Sequence, residues 1–310
     1  MRDYSHLNDP WLLAAWPGMG AVAISAGFYM MAKLGMHLLA EIPAREFFDL
    51  ECVDVKHGLI LTGPLPRSRL FLWQDPRKHH DLIVFIGEAQ PPAKGAAFCT
   101  KLIGHAHQLG IQRVFTFAAM ATQMRPEHEA RVFGAAIDRG TLAEFRHLDV
   151  HVLDDAQISG LNGVLLGVAA DSGMKGGCLL GEIPHVFAQF PSPKASLAVL
   201  KSFSALANIS LDFTELLSQA RQVEKGLEEF LHRLENSVGT PDTEVATLDA
   251  AETDKAAPRL SGHQQQHLEE LFALVRKDRS RAYELKQELD RLKVFAAYED
   301  RFLDLFKEPI

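Results

Sequence analysis

Asp81-Leu-Ile-Val-Phe-Ile-Gly-Glu-Ala-Gln-Pro-Pro92 decides how this chain folds. Residues 82–86 are apolar without a break, and all but Leu82 are β-branched or aromatic. A run of that kind predicts a strand buried on both faces, as in the middle of a parallel sheet. Gly87 closes the run, and Pro91-Pro92, with no N–H to offer a ladder, prevent its continuing. Glu88 and Gln90 therefore stand at the carboxyl end of a central strand, the rim where open α/β sheets receive ligands and partners. A turn that needs polar residues accounts for them equally well. A helix predicted over about 93–109 carries the chain back across the sheet.

On the amino-terminal side, Trp11-Leu-Leu-Ala-Ala-Trp16 reads as a strand that breaks at Pro17-Gly-Met-Gly20 and opens into an apolar helix over 21–34. A short strand follows at 37–42. The runs 52–55, 59–61 and 69–73, broken by Gly58 and Gly63-Pro-Leu-Pro66, read as antiparallel strands with tight turns at the sheet's edge. Beyond the organising strand, Arg113-Val-Phe-Thr-Phe117 is another buried strand, 123–131 is loop, and 131–137 is a strand. Asp138 is placed to cap a helix running to about 147, and 150–153 is short and β-branched. Residues 160–170 read as a helix packed closely against the sheet, with Gly163 and Gly167, four apart on one face, permitting near contact with neighbouring backbone. Gly176-Gly-Cys-Leu-Leu-Gly-Glu-Ile-Pro184 is the last core strand, with polar Glu182 and a proline at its exit. A helix over 193–206 completes an α/β domain spanning 9–210. The alternation of elements predicts a three-layer sandwich around a mixed, mostly parallel sheet.

The remaining third differs in kind. Phe213, Leu216, Ala220, Val223, Leu227, Phe230 and Leu234 mark a heptad seam on a helix over 211–236. Residues 237–262 are rich in Asp, Glu, Thr and Ala and read as a flexible acidic linker. A second heptad run occupies a helix over 263–308, interrupted only by Asp278 and Glu299. Its leucines, Leu285, Leu289 and Leu292 among them, must bury their stripe, either on the first seam or across a homo-oligomer interface. A coiled-coil extension and self-association are therefore expected.

Composition narrows the function classes. With 310 residues and a formal charge of −8, the chain has no basic cluster to follow a phosphate backbone, and no nucleic-acid partner is expected. Cys52, Cys99 and Cys178 form no Cys-x-x-Cys pair and suit a reducing cytoplasm. Residues 1–10 lack the apolar core of a signal peptide, and the weakly polar run 21–32 is too short to span a bilayer, so no membrane partner is expected.

The chemical signals are few. Gly18-Met-Gly20-Ala-Val-Ala23 fits the dinucleotide pattern between a strand and a helix, with acidic Glu41 ending the next strand. A tight strand-to-helix turn uses the same residues. There is no phosphate loop of the Gly-x-x-x-x-Gly-Lys-Ser/Thr type and no Gly-x-Ser-x-Gly elbow, and His79-His80 and His105-x-His107 have no carboxylate or thiol at ligand spacing. Ser159 reads as a helix cap. No cofactor, metal or catalytic residue is expected. Glu88 and Glu182 leave core strands at one rim, where two carboxylates could do acid/base work or accept backbone N–H groups. The expected rim, forming one pocket, comprises Gly18, Gly20, Glu88, Gln90, Asn162 and Glu182.

Taken in order, Trp16-Pro-Gly-Met-Gly20, Gly87-Glu-Ala-Gln-Pro-Pro92, Gly160-Leu-Asn-Gly-Val-Leu-Leu-Gly167 and Cys178-Leu-Leu-Gly-Glu-Ile-Pro184 resemble the proteasome assembly chaperone 2 family. The resemblance covers about 11–215. It implies a fold similar to nucleoside phosphorylases and a protein partner related to the proteasome, while some bacterial relatives carry an ATP-grasp or carboxylate–amine ligase label. The chain ends Lys307-Glu-Pro-Ile310, without the penultimate tyrosine of the hydrophobic-tyrosine-x tail by which some archaeal relatives dock on proteasome rings, so that docking mode is not expected. The reading is thus a non-enzymatic, self-associating protein of the assembly-chaperone type whose rim receives a partner. The alternative is an enzyme or sensor that binds a nucleotide or small metabolite at the same rim.

Overall fold

The computed structural model describes residues 7–50, 53–63, 65–237 and 260–307. Strands β1 (Trp11–Ala15), β2 (His37–Ile42), β5 (Ser68–Trp73), β6 (Leu82–Gly87), β7 (Arg113–Thr122), β8 (Val132–Ala136), β9 (His151–Val152) and β10 (Lys175–Pro184) form one sheet in the order β2-β5-β6-β1-β7-β10-β8-β9. The organising strand β6 is buried along its length and pairs in parallel with β1. The pairings β1–β7, β7–β10 and β8–β9 are also parallel, whereas β2–β5, β5–β6 and β8–β10 are antiparallel. The sheet is mixed, with its centre parallel.

Alternation along the strands separates two cores. Leu13, Ala15, Val84 and Ile86 face α1 (Val22–Lys33) and α5 (Pro193–Leu206). Leu12, Ala14, Ile83 and Phe85 face α2 (Gly95–Gln108) and α4 (Gly160–Asp171). α3 (Arg139–His147) lies by β8 and begins at Asp138, whose carboxylate accepts from the Gly140 and Thr141 N–H groups as expected of a cap. Gly87 is required where it stands, because a Cβ there would lie 2.5 Å from the Trp16 indole.

Three expectations need correction. The strand at 69–73 is not at the sheet's edge, since β5 lies between β2 and β6. The other two runs, β3 (Val53–Lys56) and β4 (Leu59–Thr62), form a separate two-stranded ribbon. The glycine face of α4 does not approach the sheet either. A Cβ at Gly167 would meet nothing, whereas one at Gly163 would lie 1.9 Å from the Ile158 carbonyl oxygen, so the near contact with backbone exists at Gly163 but with the preceding loop. The buried side is Leu161, Asn162, Leu165, Leu166 and Ala169.

The second heptad run is not one helix. It comprises α7 (Gly262–Lys277), α8 (Ala282–Arg291) and α9 (Phe295–Leu303). Asp278, extended at φ −141°, ends α7, and its carboxylate takes the Ser280 N–H, as short acidic side chains do when they compete with helical bonding. Its apolar stripe is buried on α1 and the sheet rather than along α6 (Thr214–Ser237), which packs on α5. Phe28 meets both Phe295 and Phe302, Tyr29 meets Tyr283, and Phe71 of β5 meets Phe306. Leu285 and Leu289, expected at a self-association seam, are fully buried within the chain, and Leu292 packs half-buried beside them. Each such side chain stabilises the docked helices by about 1.5–3 kcal/mol. Most of the expected acidic linker, 238–259, lies outside the described residues. No helix among the described residues is long and apolar enough to cross a membrane.

Candidate functional site

The parallel strands β6, β1, β7 and β10 end at one edge of the sheet, so their following residues share that edge. Gln90 ties the motifs there together. Its Nε2 donates to the Pro17 carbonyl at 3.0 Å, and its Oε1 accepts from the Leu161 N–H of α4 at 3.1 Å. Gln90 is thus a clamp within the rim. Asn162 lies beneath it, 8% exposed, with its carbonyl accepting from the Thr116 hydroxyl and its side-chain oxygen unpartnered among the described residues.

The Gly18-Met-Gly20 turn is committed to the protein. Gly20 sits at φ +61°, a conformation suited to glycine; its N–H donates to the Ala188 carbonyl at 2.9 Å and its carbonyl accepts from the Ser192 N–H at 2.8 Å. The Ala21 N–H is taken by the Gly18 carbonyl. Gly18 is exposed and extended. Glu41, the acidic half of the dinucleotide pattern, lies on β2, which β5 and β6 separate from β1, and Arg67 holds its carboxylate. The pattern's two halves are therefore apart, and the Gly20 and Ala21 N–H groups are spent within the protein rather than offered to a pyrophosphate.

Glu88 and Glu182 share the edge without sharing a pocket, contrary to the expectation of one pocket. Their strands are three places apart, about 14 Å at ordinary strand spacing. Glu182, 2% exposed, accepts from Arg131 Nε at 2.8 Å and the Thr122 hydroxyl at 2.7 Å, with further bonds from the Arg131 backbone and Nη2. The Arg131 guanidinium holds its carboxyl down at about 2, so it is ionised, fully bonded and unsuited to proton transfer.

Glu88 lies in a buried ion network. Its oxygens accept from the Arg67 backbone N–H at 2.7 Å and from Arg69 Nη1 at 2.9 Å. Arg69 is 1% exposed and also reaches Asp300 of α9, as does Arg67. Burial pushes the Glu88 carboxyl up despite both arginines. Burial also works against the charge on Asp300, yet hydrogen bonds from Arg67 and Arg69 hold its carboxyl below the ordinary value.

A cavity of about 500 Å³ opens beside Glu88, between the edge, α1, α6 and the carboxyl-terminal helices, and it also takes in Lys286, Asp290 and Glu299. Gly18, Gly20, Gln90, Asn162 and Glu182 are not on its wall. Glu182 borders a separate, much smaller recess with Met124 and Lys194. The sequence reading missed Arg67, Arg69, Lys286, Asp290 and Asp300. Its one available signal was Glu299, a charged break in an apolar heptad.

Burial pushes the Cys99 and Cys178 thiols up to about 12, so neither is a thiolate, and Cys52 lies outside the described residues. No group of three or more metal-ligating side chains occurs among the described residues.

The outer surface of the edge is apolar. Met19, Val186, Phe190 and Phe230 are 49, 58, 49 and 42% exposed. The bonds of Gly20 to Ala188 and Ser192 bring Met19 next to the 185–192 segment. There the Phe187 ring packs edge-on against both Phe190 and Phe230, at 6.1 and 6.2 Å.

Comparison with known proteins finds the PAC2 family model matching residues 12–231. An uncharacterized protein of Methanocaldococcus jannaschii, MJ1210, is 25% identical over 241 residues, 76% of this chain and 86% of that protein. The crystal structure of Pyrococcus furiosus PbaB, described as an archaeal proteasome activator, superposes with a TM-score of 0.62 at 23% identity, covering 76% of this chain and 96% of PbaB. Rv2125 of Mycobacterium tuberculosis, described as a proteasome-assembly chaperone homologue, gives 0.61 at 20% identity over 71% of this chain and 94% of Rv2125.

Proposed function

The chain belongs to the PAC2 family, and from that premise we propose a protein-binding role of the assembly-chaperone type, exercised through the apolar strand-end surface around Phe190. The observation that carries the proposal is that Met19, Val186, Phe190 and Phe230 stand exposed together on a backbone fixed by hydrogen bonds. Rigid aromatic side chains on a preorganised surface are the usual anchors of protein interfaces. The carboxylates of the same edge are taken internally, Glu88 by Arg67 and Arg69 and Glu182 by Arg131, which favours docking over catalysis. Relatives described as a proteasome activator and an assembly-chaperone homologue make a proteasome-related polypeptide the first partner to test.

Self-association belongs to the same proposal, and the β3–β4 ribbon is the surface suited to it. Val55, Leu59 and Ile60 are 67, 68 and 72% exposed there, and an isolated two-stranded ribbon is marginal until something covers it. Affinity capture from native lysate tests the partner reading with wild type and Phe190→Asp side by side. A polypeptide held by the first and lost with the second supports it, and an identical set from both contradicts it.

A further inference from the structure

The cavity between the sheet edge and the carboxyl-terminal helices combines apolar walls with ionisable side chains. At about 500 Å³ it lies within the range of small-molecule sites. Ile24 and Phe28 of α1, Val223 and Leu227 of α6, and Phe295 of α9 give it apolar walls.

Five ionisable side chains reach it, and four are already engaged. The Tyr283 hydroxyl donates to the Gln219 side-chain oxygen. Both oxygens of Asp290 hold the Lys286 ammonium, at 2.7 and 2.6 Å, and that ammonium stands 3.8 Å from the Phe295 ring centroid. Glu88 is engaged by the Arg67 backbone and Arg69. Glu299 has neither a hydrogen bond nor an ion pair among the described residues, although it is half-buried on the cavity wall. Burial first, and the neighbouring Glu88 next, raise its carboxyl to about 7.

Among the described residues the one uncommitted ionisable group on the cavity wall is therefore a carboxyl, with the neutral Ser25 hydroxyl the other polar group left unbonded there. An anion entering would face Glu299 beside Glu88, and a neutral molecule would leave Glu299 unpaired. An ammonium would relieve the desolvation of Glu299 and would also find aromatic faces suited to a cation, as Lys286 already does.

We propose that this cavity binds a small organic cation, an alkyl- or arylalkyl-ammonium, with its head on Glu299 and its body against Ile24, Phe28 and Leu227. Phe190 lines this cavity as well as the partner surface, but the site goes beyond that surface and is assigned on Glu299, whose variant reads it separately.

Titration calorimetry of the full chain at pH 8 with three probes of one shape, hexylammonium, hexan-1-ol and hexanoate, tests the assignment. Hexylammonium should bind one per chain, about tenfold or more tighter than the alcohol, as a charge-assisted bond implies, and hexanoate should give no binding. Glu299→Gln should remove the preference for the cation while leaving alcohol binding unchanged. Val223→Trp, which fills the cavity from α6, should abolish binding of both. Equal affinities for the three probes, hexylammonium binding unchanged in Glu299→Gln or in Val223→Trp, or no binding of hexylammonium to wild type would each overturn the proposal.

Discussion

Arg69 of β5, 1% exposed, holds Asp300 at 2.5 Å across 231 residues of sequence. The contact joins the central sheet to the last helices, and it does so at the strand-end edge where Glu88 occupies the other side of the same guanidinium. The carboxyl-terminal segment is thus part of the site's architecture and completes the layer that α1 begins.

Removing Asp300 should therefore destabilise the whole fold. Breaking a buried pair from one side costs about 3–5 kcal/mol; here Glu88 still neutralises Arg69 and the Asp300 side chain is 52% exposed, so about 1–3 kcal/mol is expected for Asp300→Ala. Urea denaturation checks it, with Asp304→Ala as the surface control. Equal midpoints for the two variants would show the bridge to be idle.

Glu299 should make stability fall with pH. Its folded-state carboxyl is raised to about 7 from an ordinary value of 4.5, so the native state holds the proton more tightly than the unfolded chain. The stabilising contribution is present below about pH 4.5 and is lost as pH rises through about 7. Glu299→Gln should flatten this dependence and should be more stable than wild type at pH 8 by about 1–3 kcal/mol. Chemical denaturation at pH 5 and pH 8 measures both slopes, and parallel slopes for the two proteins would contradict the assignment.

Much of this arrangement was legible in the sequence, and the gaps have identifiable causes. The run 82–86 declares a central strand because burial on both faces leaves no polar alternation, and Asp138 and the prolines at 91–92 and 193 mark element ends by backbone chemistry alone. The ribbon and β5 were merged because the same short apolar runs suit either an edge or an excursion. The seam of leucines at 268–306 fits a heptad, but a heptad states only that one face is buried, and it cannot say against what. Asp278 shows why, since a single carboxylate that caps the backbone turns one apparent helix into two. The Arg67, Arg69 and Asp300 cluster left no local signal, because its partners are brought together only by the tertiary fold.

The clamp at Gln90 gives a third expectation. Its amide satisfies the Pro17 carbonyl and the Leu161 N–H together, so Gln90→Leu leaves both without that partner. A loss of about 1–3 kcal/mol is expected, with Gln90→Glu losing less because its carboxylate still accepts from Leu161. Thermal denaturation of both variants reads it, and a wild-type midpoint for Gln90→Leu would deny the clamp its role.

The β3–β4 ribbon carries the expectation for self-association. Leu59→Lys combined with Ile60→Lys places charge on both faces of an exposed strand. Light scattering should show a smaller assembly than wild type at the same concentration, with the melting temperature of the main fold little changed. The same mass for both proteins would place self-association elsewhere or remove it.

The central claim is that the surface formed by Met19, Val186, Phe190 and Phe230 is what a partner polypeptide binds. Its most direct test is the affinity of the captured partner for wild type and for Phe190→Asp, measured by surface biosensing after both have been shown to melt alike. The account expects a loss of at least about thirtyfold, the 2 kcal/mol that marks an interface anchor. Equal affinity of the two proteins for the same partner would contradict it.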